Sequence, residues 1–249
     1  MWMPPFANTR KFVNLGPLMI DCKSEHERLL LVEGVNDCHS VFHLFWMFQR
    51  ADPNFGFHEC GNDNGVLDSL AARLVSSRHK QKILGLILDS DMEGPPPNEV
   101  IASRLDQLVS RAGQYYPLPA SFPSDGLIVD PLSGRPEAAR LPKLGVWLMP
   151  NNQSHGMFED LLAQSMSLEA EEYTRRIVLR AREDKIASFK DTHLSKSIVR
   201  TYLAWQDPPD IPYLGLAIRK GAFERIMSEC RPFMEWLQAL FGLLEASGG

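Results

Sequence analysis

The stretch "ILGLILDSDMEG", Ile83 to Gly94, joins a run of aliphatic residues directly to a group of acids. The apolar run does not alternate with polar residues, which is typical of a strand buried on both faces of a parallel sheet. Asp89 and Asp91 follow the run, one residue apart. Because side chains alternate along a strand, the two carboxylates are predicted to point the same way and Ser90 the opposite way.

The same pattern recurs elsewhere in the chain. "RLLLVEG" (28–34) and "KLGVWLMP" (143–150) predict further buried strands, and "FGFHECG" (55–61) and "GLIVD" (126–130) predict shorter ones. Helical stretches separate them, so we expect an α/β fold with a parallel sheet flanked by helices. Right-handed crossovers then place the carboxyl ends of the strands at one edge, where sites form in open α/β sheets.

The distribution of these elements divides the chain into three parts. Residues 1–25 form an N-terminal segment, and residues 26–167 carry the alternation of strands and helices. Residues 168–249 are predicted to be a mainly helical region that packs on this α/β domain. The Pro-, Gly- and Ser-rich stretch 117–142 is interpreted as an insertion within the domain.

The composition is that of a globular protein with a net charge of −5. Without a signal-peptide pattern or an apolar run of bilayer length, a cytoplasmic protein that does not enter the membrane is expected. Four scattered cysteines lack a zinc-type spacing and are expected to pack mostly as free thiols. Several tryptophans have apolar neighbours and are predicted to lie in the core. They are Trp46, Trp147, Trp205 and Trp236.

One segment departs from the acidic balance of the chain. From Arg175 to Arg200 there are eight Lys and Arg residues and three acids, a local balance of +5. Two interpretations stay open for this basic segment. It is a solvated helix surface, or it binds the phosphates of a nucleic acid.

Acids also follow the first predicted strand. Glu33 closes that strand, and Asp37 lies four residues later at the start of the next helix. If the strands ending at Glu33 and Asp89 are neighbours, these acids converge with Asp91. Oxygen ligands without histidine or cysteine suit hard cations, which predicts Mg²⁺ or Mn²⁺. Plainer interpretations remain for single acids: Asp37 stabilises a helix N-terminus, and Asp91 belongs to a turn.

"LLLVEGVND" and "ILGLILDSD" together resemble the Toprim domain, whose pattern is a glutamate closing the first strand and a DxD closing a later one. The blocks "GVWLMPNNQSHGMFEDLL" and "KSIVRTYLAWQDPPDIPYLGLAI" resemble a family of small bacterial Toprim-like proteins. The resemblance implies a Toprim-like sheet. It also implies, through the similar OLD-type nucleases, Mg²⁺-dependent hydrolysis of phosphodiester bonds in DNA or RNA, including tRNA.

The OLD-type pattern extends the first glutamate to ExxxE/D, which matches Glu33 and Asp37. It implies a further acid after the last strand. Glu159 in "GMFEDLL" is the matching position, with Asp160 as the competing one. The resemblance thus implies a metal site of Glu33, Asp37, Asp89 and Glu159 together with Asp91.

The resemblance also implies a lysine near the scissile phosphate. Lys196 in "SKSIVRTYLAWQ" matches best, and Lys190 and Lys185 are the alternatives. Glu33, Asp89, Asp91 and this lysine are the expected catalytic residues. Similar proteins are encoded beside an ATPase in anti-phage defence systems, so the expected partners are nucleic acid, an ATPase and a second copy of the chain.

Two other functions compete with the nuclease interpretation. Some Toprim domains bind nucleic acid or a partner without cleaving anything. "LILDSDMEG" also resembles the opening motif of haloacid-dehalogenase-type phosphatases, in which the first aspartate is a nucleophile. That motif usually lies on the first strand and is followed by threonine, and neither holds for Asp89.

Overall fold

The computed structural model describes residues 20–76, 80–90, 95–134, 138–209 and 213–242. Five strands within these residues form one sheet. They are β1 (Arg28–Val32), β2 (Gly56–Glu59), β3 (Ile83–Leu88), β4 (Leu127–Val129) and β5 (Lys143–Leu148). The spatial order is β2-β1-β3-β5-β4, and β1, β2, β3 and β5 are parallel. The strands ending at Glu33 and Asp89 are therefore neighbours.

The predicted α/β fold with a helical C-terminal region is confirmed, but the sheet is not wholly parallel. β4 pairs with β5 in antiparallel fashion at the edge of the sheet. This strand comes from the stretch 117–142, and an antiparallel neighbour needs no crossover helix. The indole N–H of Trp236 donates to the Leu127 carbonyl at 3.1 Å and holds this edge against the C-terminal region.

Helices cover both faces of the sheet. They are α1 (Val35–Gln49), α2 (Asp63–Val75), α3 (Pro97–Ala112), α4 (Phe158–Gln164), α5 (Leu168–Glu183), α6 (Leu194–Ala204), α7 (Leu214–Arg219), α8 (Ile226–Glu229) and α9 (Arg231–Phe241). One buried cluster joins the sheet to α2 and α3. The other joins its opposite face to α1, α9 and the C-terminal helices. No helix in the described ranges is long and apolar enough to cross a bilayer.

Two glycines let α9 lie close against the sheet. Gly85 of β3 and Gly145 of β5 are paired directly across the two strands. A Cβ at Gly145 would overlap the Leu240 side chain, and a Cβ at Gly85 would lie 3.0 Å from it. The absence of side chains at this pair therefore creates the groove that Leu240 fills, and α9 completes the core of the α/β domain.

The cysteines differ from the sequence-based expectation. Cys22 and Cys38 form a disulfide bond, while Cys60 and Cys230 are free. The N-terminal segment runs along β2, with the Glu59 amide donating to the Cys22 carbonyl at 2.8 Å. This backbone pairing carries Cys22 to the first turn of α1, and the linear sequence does not indicate that contact.

The prediction for the tryptophans holds for Trp147 and Trp236, which are buried, and is wrong for Trp205. Trp46 is partly buried. Trp205 follows the last residue of α6 and leaves half of its surface exposed. Its apolar neighbours in the sequence belong to the buried side of α6, whereas Trp205 itself lies beyond the end of that helix.

We expect Gly145→Ala to lower the free energy of unfolding by about 1–3 kcal/mol, because the added methyl group displaces Leu240. Leu240→Ala alone should cost about 2–5 kcal/mol by leaving a cavity. The double variant should lose less than the sum, because the shorter side chain makes room for the methyl group. Urea unfolding of the four proteins measures this coupling, and strictly additive losses would contradict the proposed contact.

Candidate functional site

Glu33 and Asp89 lie side by side at the carboxyl edge of the sheet. β1 and β3 are parallel neighbours, with Leu31 opposite Leu86. The Asp89 amide donates to Glu33 Oε1 at 2.9 Å, and both side chains are half-buried. Asp89 Oδ1 in turn accepts from the amide of Phe158, the first residue of α4, at 3.2 Å. The ends of β1, β3 and α4 thus meet at these two acids.

Asp37 lies in the first turn of α1 and has a structural role. Its Oδ2 accepts from the Gly34 amide at 2.9 Å, which closes the N-terminus of the helix. Burial raises the pKa of Asp37, while the Gly34 hydrogen bond and the charge of Lys196 lower it. Asp37 therefore both caps α1 and lies within electrostatic reach of Lys196.

Glu159 and Asp160 differ in what their carboxylates contact. Asp160 accepts from the Met157 amide at 2.8 Å and from the Ser195 hydroxyl, so each of its oxygens is engaged by the chain itself. Burial raises the pKa of Glu159, the charge of Lys196 lowers it, and the charge of Asp37 raises it. Glu159 accordingly belongs to the acidic group, and Asp160 holds the start of α4 against α6.

Lys196 lies in the first turn of α6 and is exposed. Among the three candidate lysines, and within the described ranges, it is the one whose charge lowers the pKa of two acids, Asp37 and Glu159. Lys185 and Lys190 are also exposed and lie in the connection from α5 to α6. The effect of its charge thus distinguishes Lys196, which is also the lysine that the sequence motif matched best.

The pKa of Glu33 is raised to about 7. Burial is the main cause, and the charges of Asp37 and Asp63 raise the pKa further. The hydrogen bond from the Asp89 amide and the charge of Arg104 act in the opposite direction. Glu33 therefore loses its proton near neutral pH, in the range where small changes in its surroundings alter its charge.

Arg104 was not predicted as part of this site. It lies on α3, is almost fully buried, and donates to the Asp89 carbonyl at 3.0 Å and to Asp63 Oδ2 at 2.8 Å. In the sequence it occupies the apolar stripe of α3, between Val100 and Leu108. A charged residue within such a stripe was the available signal, because buried arginines require partners.

Asp91 and Ser90, which the sequence analysis named, and the turn after β5 complete the description of this edge. Asp91 lies outside the described residues. Ser90 is fully buried, and its hydroxyl donates to the Met149 carbonyl at 2.8 Å. Asn151 and Asn152 shape the turn after β5: Asn152 Oδ1 accepts from the Leu148 amide, and Asn151 Oδ1 accepts from the Ser154 amide.

The acids that the structure describes at this edge provide the type of ligand that hard cations bind, but they do not form a complete set of ligands around one ion. In the part of the chain that the structure describes, no three acidic, histidine or cysteine side chains are placed to hold one metal ion. The grouped donors are carboxylate oxygens, which suit Mg²⁺ or Mn²⁺. Burial and the charge of Asp37 disfavour ionisation of Glu33 and Glu159, and a bound cation would reverse this effect.

We expect Glu33→Gln to stabilise the metal-free protein at pH 8. A carboxyl with a higher pKa in the folded state holds its proton more tightly there, so the free energy of unfolding falls as pH rises from about 4.5 to about 7. Glutamine keeps the acceptor for the Asp89 amide and removes the charge. The gain should be about 1–3 kcal/mol at pH 8 and near zero at pH 4.

Urea unfolding in EDTA across this pH range provides the measurement. Glu235→Gln, at an exposed position on α9, is the matched control and should show no such pH-dependent difference. An equal effect of Glu33→Gln at both pH values would contradict the raised pKa.

Comparison with known proteins adds a family and no activity. No curated protein and no solved structure matches the chain. Residues 27–242 match a family model, and this span contains the whole sheet, α1 to α9 and every candidate site residue. The chain therefore belongs to the family described as "Protein of unknown function (DUF3226)".

Proposed function

We propose that this protein is a metal-dependent nuclease of the Toprim type that hydrolyses phosphodiester bonds in DNA or RNA. The observation that carries the proposal is the grouping of half-buried acids with one lysine at the carboxyl edge of the sheet. Glu33 contacts Asp89 directly, and the charge of Lys196 acts on both Asp37 and Glu159. A purely structural domain gains nothing from placing like charges together.

Each part of the site has a role in this proposal. Glu33, Asp37, Asp89 and Glu159, with Asp91, would hold Mg²⁺ or Mn²⁺. The bound metal would supply a nucleophilic water near neutral pH and stabilise negative charge on the phosphate. Lys196 would place a further positive charge near the phosphate. Arg104 would position Asp89 through its backbone carbonyl, at 3.0 Å.

The Toprim resemblance extends the proposal to partners. The chain would act as the effector of an anti-phage defence system, together with a partner ATPase. The net charge of −5 supports dependence on a partner, because an acidic protein binds nucleic acid weakly through most of its surface.

One observation favours a second candidate, a Toprim subunit that binds nucleic acid or a partner without cleaving it. No metal cage is complete among the residues that the structure describes. The two candidates differ in what happens to substrate once it is bound, and cleavage assays separate them.

We expect purified protein with Mg²⁺ or Mn²⁺ to cleave plasmid DNA, single-stranded DNA or tRNA. EDTA should abolish the cleavage, and Asp89→Asn should reduce its rate by about 10²–10³-fold. Asparagine preserves the acceptor for the Phe158 amide, so the loss reports the charge and not the fold. Gel electrophoresis of the products, with and without a partner ATPase, measures the rates.

Lys196 can be tested against a matched lysine in the same assay. Lys196→Ala should also lose about 10²–10³-fold in cleavage rate, whereas Lys185→Ala, at an exposed position outside α6, should change it less than about twofold. If the wild-type protein cleaves none of the three substrates even with the ATPase present, the nuclease proposal fails. If it cleaves and Asp89→Asn is as active, the site assignment is wrong.

Glu159 and Asp160 give a further prediction, because one is assigned to chemistry and the other to structure. Glu159→Gln should lose cleavage and keep or raise the free energy of unfolding, because burial already disfavours the charged form of Glu159. Asp160→Ala should lower the free energy of unfolding by about 1–2 kcal/mol, because it removes the helix cap and the contact with Ser195. Thermal unfolding and cleavage rates are compared for both variants. The reverse pattern would exchange the two assignments.

A further inference from the structure

Two large aromatic side chains lie together on the surface of the C-terminal region. Tyr173 of α5 and Trp205, which follows α6, each leave 50% of their surface exposed. Their ring centroids are 5.9 Å apart with an edge-to-face orientation. Packing against each other leaves much of both rings accessible to a ligand, and such exposed aromatic pairs are characteristic of binding surfaces.

A cation lies at this aromatic pair. The Arg176 guanidinium is 5.1 Å from the centroid of the Tyr173 ring. Other arginines of the basic segment are in ion pairs: Arg175 with Glu171, Arg180 with Asp184, and Arg182 with Asp191. Arg176 has no acid within ion-pair distance among the described residues. Its charge is therefore available to an anionic ligand next to the exposed rings.

α6 connects the aromatic pair to the acidic site. Lys196, at the start of the helix, acts on Asp37 and Glu159, and Trp205 follows its end. Trp205 lies nine positions after Lys196, which corresponds to about 13 Å along a helix axis. Lys196 and Arg200 are spaced by one helical turn and are both exposed. Two positive charges thus lie on the exposed part of α6, between the acids and the end of the helix that Trp205 follows.

We propose that Tyr173, Trp205 and Arg176 form a stacking platform for unpaired bases of a single-stranded nucleic acid whose backbone follows α6 to the acidic site. The proposal deepens the proposed nuclease function and rests on it for the direction of the strand. The positive charges of Arg176, Lys196 and Arg200 favour a polyanion as the ligand. The exposed rings favour flat groups that can stack on them, and a duplex keeps its bases stacked in its interior. A single strand offers both.

The test measures binding without cleavage. Fluorescence anisotropy of labelled oligo(dT), oligo(U) and a DNA duplex of the same length is recorded with the full chain in EDTA. Trp205→Ala and Tyr173→Ala should each weaken single-strand binding by about 5- to 100-fold and leave duplex binding nearly unchanged. Trp205→Phe should stay within about threefold of wild type, because phenylalanine keeps a ring for stacking.

Two controls separate stacking from general effects. Val75→Ala removes an exposed apolar side chain at the end of α2 and should leave affinity unchanged. Single strands should quench tryptophan fluorescence in the wild-type protein, and Trp205→Phe should lose most of this quenching while it retains affinity. Both target positions are half exposed, so equal thermal stability of the variants is expected and can be verified.

The binding experiment tests the stacking platform independently of whether the protein cleaves nucleic acid. Reduced single-strand binding by the two alanine variants supports the platform even if no cleavage occurs with any metal. Unchanged single-strand affinity in both variants would overturn it and would leave a protein partner as the occupant of the aromatic pair. Equal weakening for single strands and duplex would also overturn it, because base stacking could not then be the cause.

Discussion

The Asp89 amide donates a hydrogen bond to the Glu33 carboxylate, and this contact joins the ends of two neighbouring parallel strands. The rest of the candidate site is arranged around it. Asp89 also accepts from the amide of Phe158, which places the start of α4 and with it Glu159 at the same edge. Both hydrogen bonds lie at the edge where β1 and β3 end. A shift of either strand by one residue would therefore separate the acids.

Such a group of acids is unfavourable in the absence of a counter-charge. Burial raises the pKa of Glu33 and Glu159, and neighbouring carboxylates add to the effect. The buried Arg104 offsets part of the charge at Glu33, and the exposed Lys196 offsets part at Asp37 and Glu159. Neither forms an ion pair with Glu33 in the described residues. The arrangement therefore lowers the stability of the fold, and a bound cation would offset this loss.

The C-terminal region contributes to both the core and the site. α9 fills the groove at Gly85 and Gly145, so this face of the sheet is fully covered only when the C-terminal region is in place. α6, from the same region, carries Lys196 at one end and is followed by Trp205 at the other. Folding of the core thereby fixes the distance between the acids and the aromatic pair. A shared scaffold of this kind would hold the proposed catalytic and binding groups in one orientation.

Local patterns in the sequence determined the strands, the α/β class and the placement of Glu33 and Asp89 at strand ends, because unbroken apolar runs can be satisfied only by burial. Only the tertiary structure decided the order of the strands, the antiparallel β4, the Cys22–Cys38 disulfide and the exposure of Trp205. It also assigned Asp160 to a helix cap and Arg104 to the acidic edge. These features depend on contacts between residues far apart in the chain, and neither periodicity nor spacing records which distant elements will meet.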